Sequence, residues 1–311
     1  MNLVEEKRSN PMTYRFPVGD VDITVIAESV APLLRWQEIY PAATADAVHN
    51  SRYASLPDLF DGNTERFVIA IQAFLVRADG LNILVDTCVG DCKDRVRDEF
   101  RLVNHWLDRL NRTGVTADHI DRVVTTHIHV DHVGWNTRLR GGLWIPTFPN
   151  ARYLFVDAEL AFWRGESSLS ALQRTGDYVA DSIDPVVEAG LADIVQPDHA
   201  VSPSVSLVHL PGHTPGHVGV SIESGGQKAI LTGDLLHTPW QCENPHWNTR
   251  FCVDPQQSHK TRESFMAQYV DSSVMLVPSH FPYPCAGYLR SERTGFSFEF
   301  IDESLTISML S

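Results

Sequence analysis

The stretch THIHVDH (126–132) constrains this chain more than any other segment. It follows an apolar run and places four potential metal ligands, His127, His129, Asp131 and His132, within six positions. In an extended segment, residues two apart point to the same side, so His127 and His129 share a face. Asp131 and His132 come after a turn, so their side chains can reach a second position beside the one that His127 and His129 face. Imidazoles and a carboxylate crowded together favour a shared cation, so the segment predicts a metal site with room for two ions.

Single potential ligands follow other strand-like runs, each just beyond the end of its run. These runs are rich in β-branched residues and cover 205–210, 228–231 and 274–277. They are followed by His213, Asp234 and His280, and the run 82–85 is followed by Asp86. Ligand sites in α/β sheets form outside the carboxyl ends of strands. We therefore expect these side chains to converge with the four of the 126–132 stretch.

The remaining pattern predicts a layered α/β architecture. Further strand-like runs cover 22–27, 67–76, 122–126, 151–155 and 218–222, and Gly141-Gly142 marks a hairpin turn. Apolar residues at helical spacing predict a helix over about 95–112, and Asp254 followed by Pro255 predicts a helix that runs to about Tyr269. Residues 239–251 are predicted to form a loop, and alternating phenylalanines over 296–300 a closing strand. No repeat or linker divides the chain, which predicts a single domain over 1–311 with its core at about 20–300.

The charge balance limits the class of partner. The chain has 311 residues, a net charge of −14 and no basic block, which disfavours a nucleic-acid or anionic-membrane partner. We expect a small-molecule substrate, and the acidic balance favours a neutral one. No signal-peptide pattern and no long apolar stretch is present, so a cytoplasmic location is predicted. The five cysteines include no C-x-x-C and are expected to be reduced thiols. A homodimer is compatible with the sequence, although no motif indicates one.

The order H-x-H-x-D-H, then His213, Asp234 and His280, resembles the metallo-β-lactamase superfamily over about 20–300. The resemblance implies a four-layer αβ/βα sandwich with a site for two divalent metal ions. Zinc is the first choice, with manganese, cobalt and iron as alternatives. By this resemblance the first ion is held by His127, His129 and His213, the second by Asp131, His132 and His280, and both by the bridging Asp234. Asp86 corresponds to an anchor of the histidine loop and not to a ligand.

Within the superfamily, the presence of Asp234 and the amino-acid sequence of residues 131–136 (DHVGWN) resemble those of the lactonases and methyl parathion hydrolase. This implies that a metal-bridging hydroxide cleaves a small neutral ester, lactone or phosphotriester, with Asp131, Asp234 and His237 as catalytic residues. His237 stands where acyl-homoserine lactonases have a tyrosine. The alternatives are a glyoxalase II-like thioesterase, an oxidoreductase like the persulfide dioxygenases with one iron at the first site, and a non-catalytic binding protein.

Aromatic residues in the loops beside the ligands suggest an apolar pocket wall. As substrate-binding residues we predict Trp135, Phe148, Trp240, Trp247 and Phe281, with Phe251 and Tyr283 as further candidates. The competing interpretation is that these aromatic side chains belong to the hydrophobic core.

Overall fold

The computed structural model describes residues 11–293 and 295–308, and two large sheets dominate it. The strands, in chain order, are β1 (Thr13–Val18), β2 (Val21–Arg35), β3 (Phe60–Asp61), β4 (Arg66–Ala78), β5 (Leu81–Val85), β6 (Arg122–Val124), β7 (Thr137–Arg140), β8 (Leu143–Pro146), β9 (Arg152–Val156), β10 (Ala192–Val195), β11 (Ala200–Ser202), β12 (Val205–His209), β13 (Val218–Ser224), β14 (Gln227–Gly233), β15 (Met275–Pro278), β16 (Gly287–Ser291), β17 (Phe296–Phe300) and β18 (Ile307–Ser308). The nine-stranded sheet has the order β10-β9-β6-β5-β4-β2-β1-β18, with β3 also paired to β4. The seven-stranded sheet runs from β11 to β17 in sequence order, and β7 and β8 form the hairpin predicted at Gly141-Gly142.

Helices cover the outer faces of the sheets. They are α1 (Trp36–Ile39), α2 (Ala45–His49), α3 (Trp106–Arg112), α4 (Asp157–Trp163), α5 (Leu169–Thr175), α6 (Tyr178–Ser182), α7 (Asp184–Glu188), α8 (Trp240–Glu243) and α9 (Pro255–Tyr269). The helix predicted after Asp254 is confirmed as α9, and the Asp254 side chain caps it by accepting a hydrogen bond from the Gln257 N–H. No helix of the described residues combines the length and apolar character needed to cross a membrane.

The alternation of side chains along β4 shows how the layers form. Phe74 and Val76 join one core cluster, which also contains apolar residues of the second sheet, so these two faces pack on each other. Ala73 and Leu75 point the opposite way, into a second cluster with residues of α3, α4 and α6. On the second sheet, Phe265 and Met266 of α9 pack onto the core. The predicted four-layer αβ/βα sandwich is therefore confirmed.

The helix predicted over about 95–112 is wrong for most of its length. The α-helix begins only at Trp106, and Val96 and Val103, which the prediction placed on its apolar face, are 56% and 68% exposed. An ion pair explains the difference, because Arg95 is drawn into the interior and binds Asp181, with Nη2 to Oδ1 at 2.9 Å. The backbone between Arg95 and Trp106 therefore does not form a continuous α-helix. Residues 239–251, predicted as a loop, contain the short helix α8.

Strand ends bring the candidate ligands to one edge of the sandwich. Asp86 follows β5, the 126–132 stretch follows β6, Asp234 follows β14 and His280 lies just beyond β15. The pairs β5–β6 and β14–β15 are parallel, so their carboxyl ends lie side by side. Residues 1–10, part of the predicted N-terminal extension, lie outside the described residues, and the single domain over 1–311 stays a prediction.

Candidate metal centre

Three histidines and one carboxylate form a first group at this edge. His129 Nδ1 lies 3.0 Å from His127 Nε2 and 3.0 Å from His213 Nε2. Asp234 Oδ2 lies 3.2 Å from His213 Nε2 and 3.5 Å from His127 Nε2. Potential ligand atoms from three separate loops therefore face one point.

A second group shares Asp234 with the first. Asp234 Oδ1 lies 3.2 Å from His132 Nε2 and 3.1 Å from His280 Nε2, and Asp131 lies 3.8 Å from the same two nitrogens. Asp234 Oδ2 also lies 3.2 Å from His280 Nε2, so the carboxylate lies between the two groups and contacts both. We call His127, His129, Asp131, His132, His213, Asp234 and His280 the His/Asp cluster. The structure brings together all seven side chains that the sequence analysis selected as ligands.

The nitrogens that point away from the cluster are held by the protein. His132 Nδ1 contacts Asp86 Oδ2 at 2.8 Å, and His280 Nδ1 donates to the Ala70 carbonyl at 2.9 Å. His213 Nδ1 lies 3.5 Å from the Cys252 Sγ, a contact that no sequence motif indicated. Such partners fix the ring orientation and the tautomer of a metal-binding histidine. The predicted role of Asp86 as an anchor fits its place in this geometry.

Burial and neighbouring charges set protonation states in the His/Asp cluster that suit cation binding. Burial holds the pKa of His127 and His129 well below the usual histidine range, so both rings stay neutral, as metal ligands must be. Burial opposes ionisation of Asp234, but the surrounding imidazoles hold its pKa well below the usual range. Within the described chain, His132 Nε2 and Asp234 Oδ1 are buried without a hydrogen-bond partner. Buried polar atoms left in this way fit the site of a cation.

His217 holds the loop that carries Asp234. Its Nδ1 donates to the Leu210 carbonyl at 2.9 Å, and its Nε2 accepts from the Asp234 N–H at 2.9 Å. Gly233 leaves the space for this ring, because a Cβ there would lie 2.6 Å from His217 Nε2. His217 therefore orients the loop of Asp234, and its ring packs beside those of His127 and His213, with centroids 5.1 and 5.8 Å away.

Two buried glutamates, which the sequence analysis missed, organise the surrounding loops. Glu159 accepts from the Ile128 N–H (2.8 Å), the Trp163 indole N–H (2.7 Å) and the Gly216 N–H (2.8 Å). It thereby joins the loop of His127 and His129 to the loop of His213. Glu28 accepts in the same way from the Val89 and Gly90 N–H groups and the Trp135 indole, and burial raises its pKa to about 7. No motif marks either residue, because both act through tertiary contacts.

A cavity of about 730 Å³ opens onto the cluster. Asp131, Asp234, His237 and His280 lie at its polar end. Its remaining wall is largely apolar and includes Leu33, Leu34, Ile39, Ile69, Phe100, Phe162, Trp163, Tyr178 and Phe251. His237, a predicted catalytic residue, is 5% exposed, stacks on His280 with ring centroids 5.2 Å apart, and has no hydrogen-bond partner at either ring nitrogen in the described structure.

The pocket wall predicted from loop aromatics needs correction. Phe251 lines the cavity, but five predicted residues lie in the hydrophobic core and not on its wall: Trp135, Phe148, Trp240, Trp247 and Phe281. Their contacts explain this placement. The Trp135 indole donates to Glu28 and its ring stacks on Trp106, while the Trp240 indole donates to the Val48 carbonyl. Tyr283, the further candidate, packs against the core cluster at Tyr14.

The chain belongs to the metallo-β-lactamase superfamily, whose family model matches residues 67–264. An N-acyl homoserine lactonase of Bacillus sp. is 28% identical over 156 residues, which is 50% of this chain and 52% of that protein. A probable metallo-hydrolase of Mycobacterium tuberculosis is 28% identical over 200 residues, or 57% of this chain and 60% of that protein. The chain thus spans about half the length of the curated relatives it matches.

Solved structures share the fold over nearly the whole chain. The hydrolase AbOPH of the β-lactamase superfamily aligns with a TM-score of 0.78 and 20% identity, covering 95% of this chain and 99% of its own. AidC, a dizinc quorum-quenching lactonase, aligns with a TM-score of 0.73 and 21% identity, covering 94% and 99%. At these identities the likeness establishes the fold alone.

Proposed function

We propose that this chain is a binuclear metal-dependent hydrolase that cleaves a small ester, lactone or phosphotriester whose reacting group is neutral. Of these substrate classes we favour the lactone, because relatives over half of the chain are named lactonases. The first ion is assigned to His127, His129 and His213, the second to Asp131, His132 and His280, and Asp234 serves both. Zinc is the favoured metal.

One observation carries the proposal: the Asp234 carboxylate lies between two different ligand groups. Its Oδ2 lies 3.2 Å from His213 Nε2 of the first group, and His280 Nε2 of the second group lies 3.1 Å from Oδ1 and 3.2 Å from Oδ2. A carboxylate placed in this way suits a pair of cations better than one. When bound, such a pair supplies a water of pKa about 7 as nucleophile and polarises the carbonyl or phosphoryl oxygen of the substrate. No serine or cysteine nucleophile is needed.

His237 is the residue of the chain best placed to assist the leaving group. Its ring lines the cavity, and Nε2 lies 3.2 Å from Asp234 Oδ2, so the imidazole faces the place where the ester would react. Within the described residues Nδ1 has no hydrogen-bond partner, and the contact of Nε2 with Asp234 is the close polar contact of the ring. We assign to His237 a hydrogen bond to the substrate oxygen.

The second ligand group favours hydrolysis over the mononuclear oxidoreductase. An enzyme with one iron at the first site would have no use for Asp131, His132 and His280 as a converging set, yet these three lie together beside Asp234. Elemental analysis of the purified protein separates the two. About two zinc ions per chain support the hydrolase, and a single iron per chain contradicts it.

Removal of metal tests the proposed activity directly. We expect a screen of lactones, aryl esters, thioesters and phosphotriesters to identify a hydrolysed substrate. Dialysis against a chelator is expected to abolish that activity and to lower Tm, because a ligand that binds only the folded state stabilises it. Added zinc should restore both. Hydrolysis that persists in protein freed of metal would refute the proposal.

Replacement of Glu159 by glutamine is expected to weaken metal binding although Glu159 is not a ligand. The glutamine NH₂ would face at least one of the three N–H groups that Glu159 now accepts from, at a cost of about 1 to 3 kcal/mol. Mutation of a residue that hydrogen-bonds to a metal ligand or its loop typically lowers the metal affinity about 10- to 100-fold. Competition with a chromophoric chelator measures this change, and the exposed Glu188→Gln serves as control. Equal zinc affinity in both variants would contradict the role of Glu159 as a positioning residue.

A further inference from the structure

The cavity that opens onto the His/Asp cluster is lined by acidic, apolar and cationic side chains. Its inner end carries Asp131 and Asp234, which are the only acidic residues among the described residues that line it. Three arginines, Arg97, Arg174 and Arg250, also line the cavity, and Arg174 and Arg250 are solvent-exposed. Exposed lining residues lie at the open end. The lining thus combines candidate metal ligands, apolar side chains and arginines, and the exposed Arg174 and Arg250 bring positive charge to the opening.

The acidic residues of the surrounding loops are engaged elsewhere. Arg97 pairs with Glu99, Arg101 lies 3.5 Å from Asp98, and Asp181 binds the buried Arg95. In the part of the chain that the structure describes, no ion pair links Arg174 or Arg250 to an acidic side chain. Both guanidinium groups are therefore free to meet an anion from outside.

The Arg250 segment is held at the cavity wall. Its guanidinium carbon lies 5.2 Å from the centroid of the Phe251 ring, which also lines the cavity. The Arg250 N–H donates to the Ile39 carbonyl at 3.0 Å and ties this segment to the opposite loop. On the other side, Arg174 belongs to α5, and the carbonyl of the next residue, Thr175, accepts from the Val96 N–H at 3.3 Å.

The charge of the cavity is opposite to that of the whole chain. The chain carries a net charge of −14, whereas the unpaired Arg174 and Arg250, with the proposed pair of divalent cations, outweigh the two lining carboxylates and make this cleft positive. A cleft lined by one sign of charge raises the local concentration of the opposite ion. The net charge alone favoured a neutral substrate, but a bound molecule responds to the field inside the cleft.

We propose that the substrate carries a carboxylate at the far end of an apolar arm, bound by Arg174 and Arg250 at the cavity mouth. The ester or lactone group lies at the His/Asp cluster, and the arm lies along Ile39, Ile69 and Phe162. Guanidinium groups match carboxylates in shape and charge and bind them through paired hydrogen bonds. This inference rests on the proposed hydrolase function for the orientation of the substrate.

A matched pair of substrates tests it. The 4-nitrophenyl ester of hexanoic acid and the mono-4-nitrophenyl ester of adipic acid have acyl chains of equal length and differ by the terminal carboxylate. We expect kcat/KM to be about tenfold or more higher for the adipic ester, through a lower KM. The double variant Arg174→Gln/Arg250→Gln should lose this preference and keep the rate on the hexanoic ester within about twofold.

The control is Arg140→Gln, which removes an exposed arginine on β7 that does not line the cavity, so the preference should persist. Equal rates on the two esters in the wild-type protein, or a preference unchanged in the double variant, would overturn the inference.

Calorimetry with adipate and hexanoate on the zinc-loaded protein gives a readout independent of turnover. Tighter adipate binding, lost in the double variant, supports the anion site even if neither ester is hydrolysed. Absence of hydrolysis across the wider screen would count against the proposed function alone.

Discussion

Replacing Asp234 by alanine is expected to release at least one of the two proposed metal ions and to lower kcat/KM at least about 100-fold. Asp234 is the carboxylate that faces both ligand groups, with Oδ2 at 3.2 Å from His213 Nε2 and Oδ1 at 3.2 Å from His132 Nε2. Without it, the five buried imidazoles around it remain, but the negative charge that helps to balance a pair of cations is lost. Loss of one principal electrostatic group of an active site commonly costs about 100- to 1000-fold in kcat.

Elemental analysis and steady-state kinetics of the same sample measure both effects. The exposed Asp20→Ala variant is a suitable control, because it removes a carboxylate that lies outside the cavity lining. It should keep two ions per chain and the wild-type rate. An Asp234→Ala protein with two ions and the wild-type rate would contradict the assignment of Asp234 as the shared ligand.

Replacing Asp86 by alanine should cost about 3 to 5 kcal/mol of unfolding free energy, since it leaves a buried partner without its counter-charge. The carboxylate is fully buried and accepts from the Thr126 N–H and the Thr126 hydroxyl, each at 2.8 Å. It also contacts His132 Nδ1 at 2.8 Å. Nearby carboxylates, with Asp234 before Asp86, raise the pKa of His132 against the effect of burial. The variant should therefore also bind the second ion more weakly.

Urea unfolding in excess chelator isolates the effect on the fold, and zinc titration then reports on the metal. Asp193→Ala is a useful contrast, because Asp193 forms a partly exposed ion pair with Arg152 and should cost less than about 1 kcal/mol. A loss of stability in Asp86→Ala no larger than in Asp193→Ala would show that Asp86 does not anchor the histidine loop.

The candidate ligands could be predicted because local pattern and topology agree. Each of them follows a strand closely in the sequence, so short-range signals were sufficient to select His213, Asp234 and His280. Asp234 and His280 follow the parallel neighbours β14 and β15, whose carboxyl ends meet at one edge. The same holds for α9, where Asp254 and Pro255 mark the first turn. In these places local chemistry and the overall fold favour the same conformation.

The pocket could not be predicted in this way, because tertiary contacts decide which face an aromatic ring takes. Trp240 packs on Phe67 with ring centroids 4.8 Å apart and donates to the Val48 carbonyl, two partners remote in sequence. The helix predicted over 95–112 failed for a related reason. The apolar spacing was present, but the contact of Arg95 with Asp181, 86 residues away, sets the backbone path instead. Glu159 was missed because its three donors come from three different segments.

Crystals grown in excess zinc and measured at the zinc absorption edge would locate the proposed pair of metal ions. We predict two anomalous peaks about 3.5 to 4 Å apart. One peak should lie among His127, His129 and His213, the other among Asp131, His132 and His280, with Asp234 beside both. A map without a peak in this cluster, or with a single peak and an empty second group at saturating zinc, would contradict it.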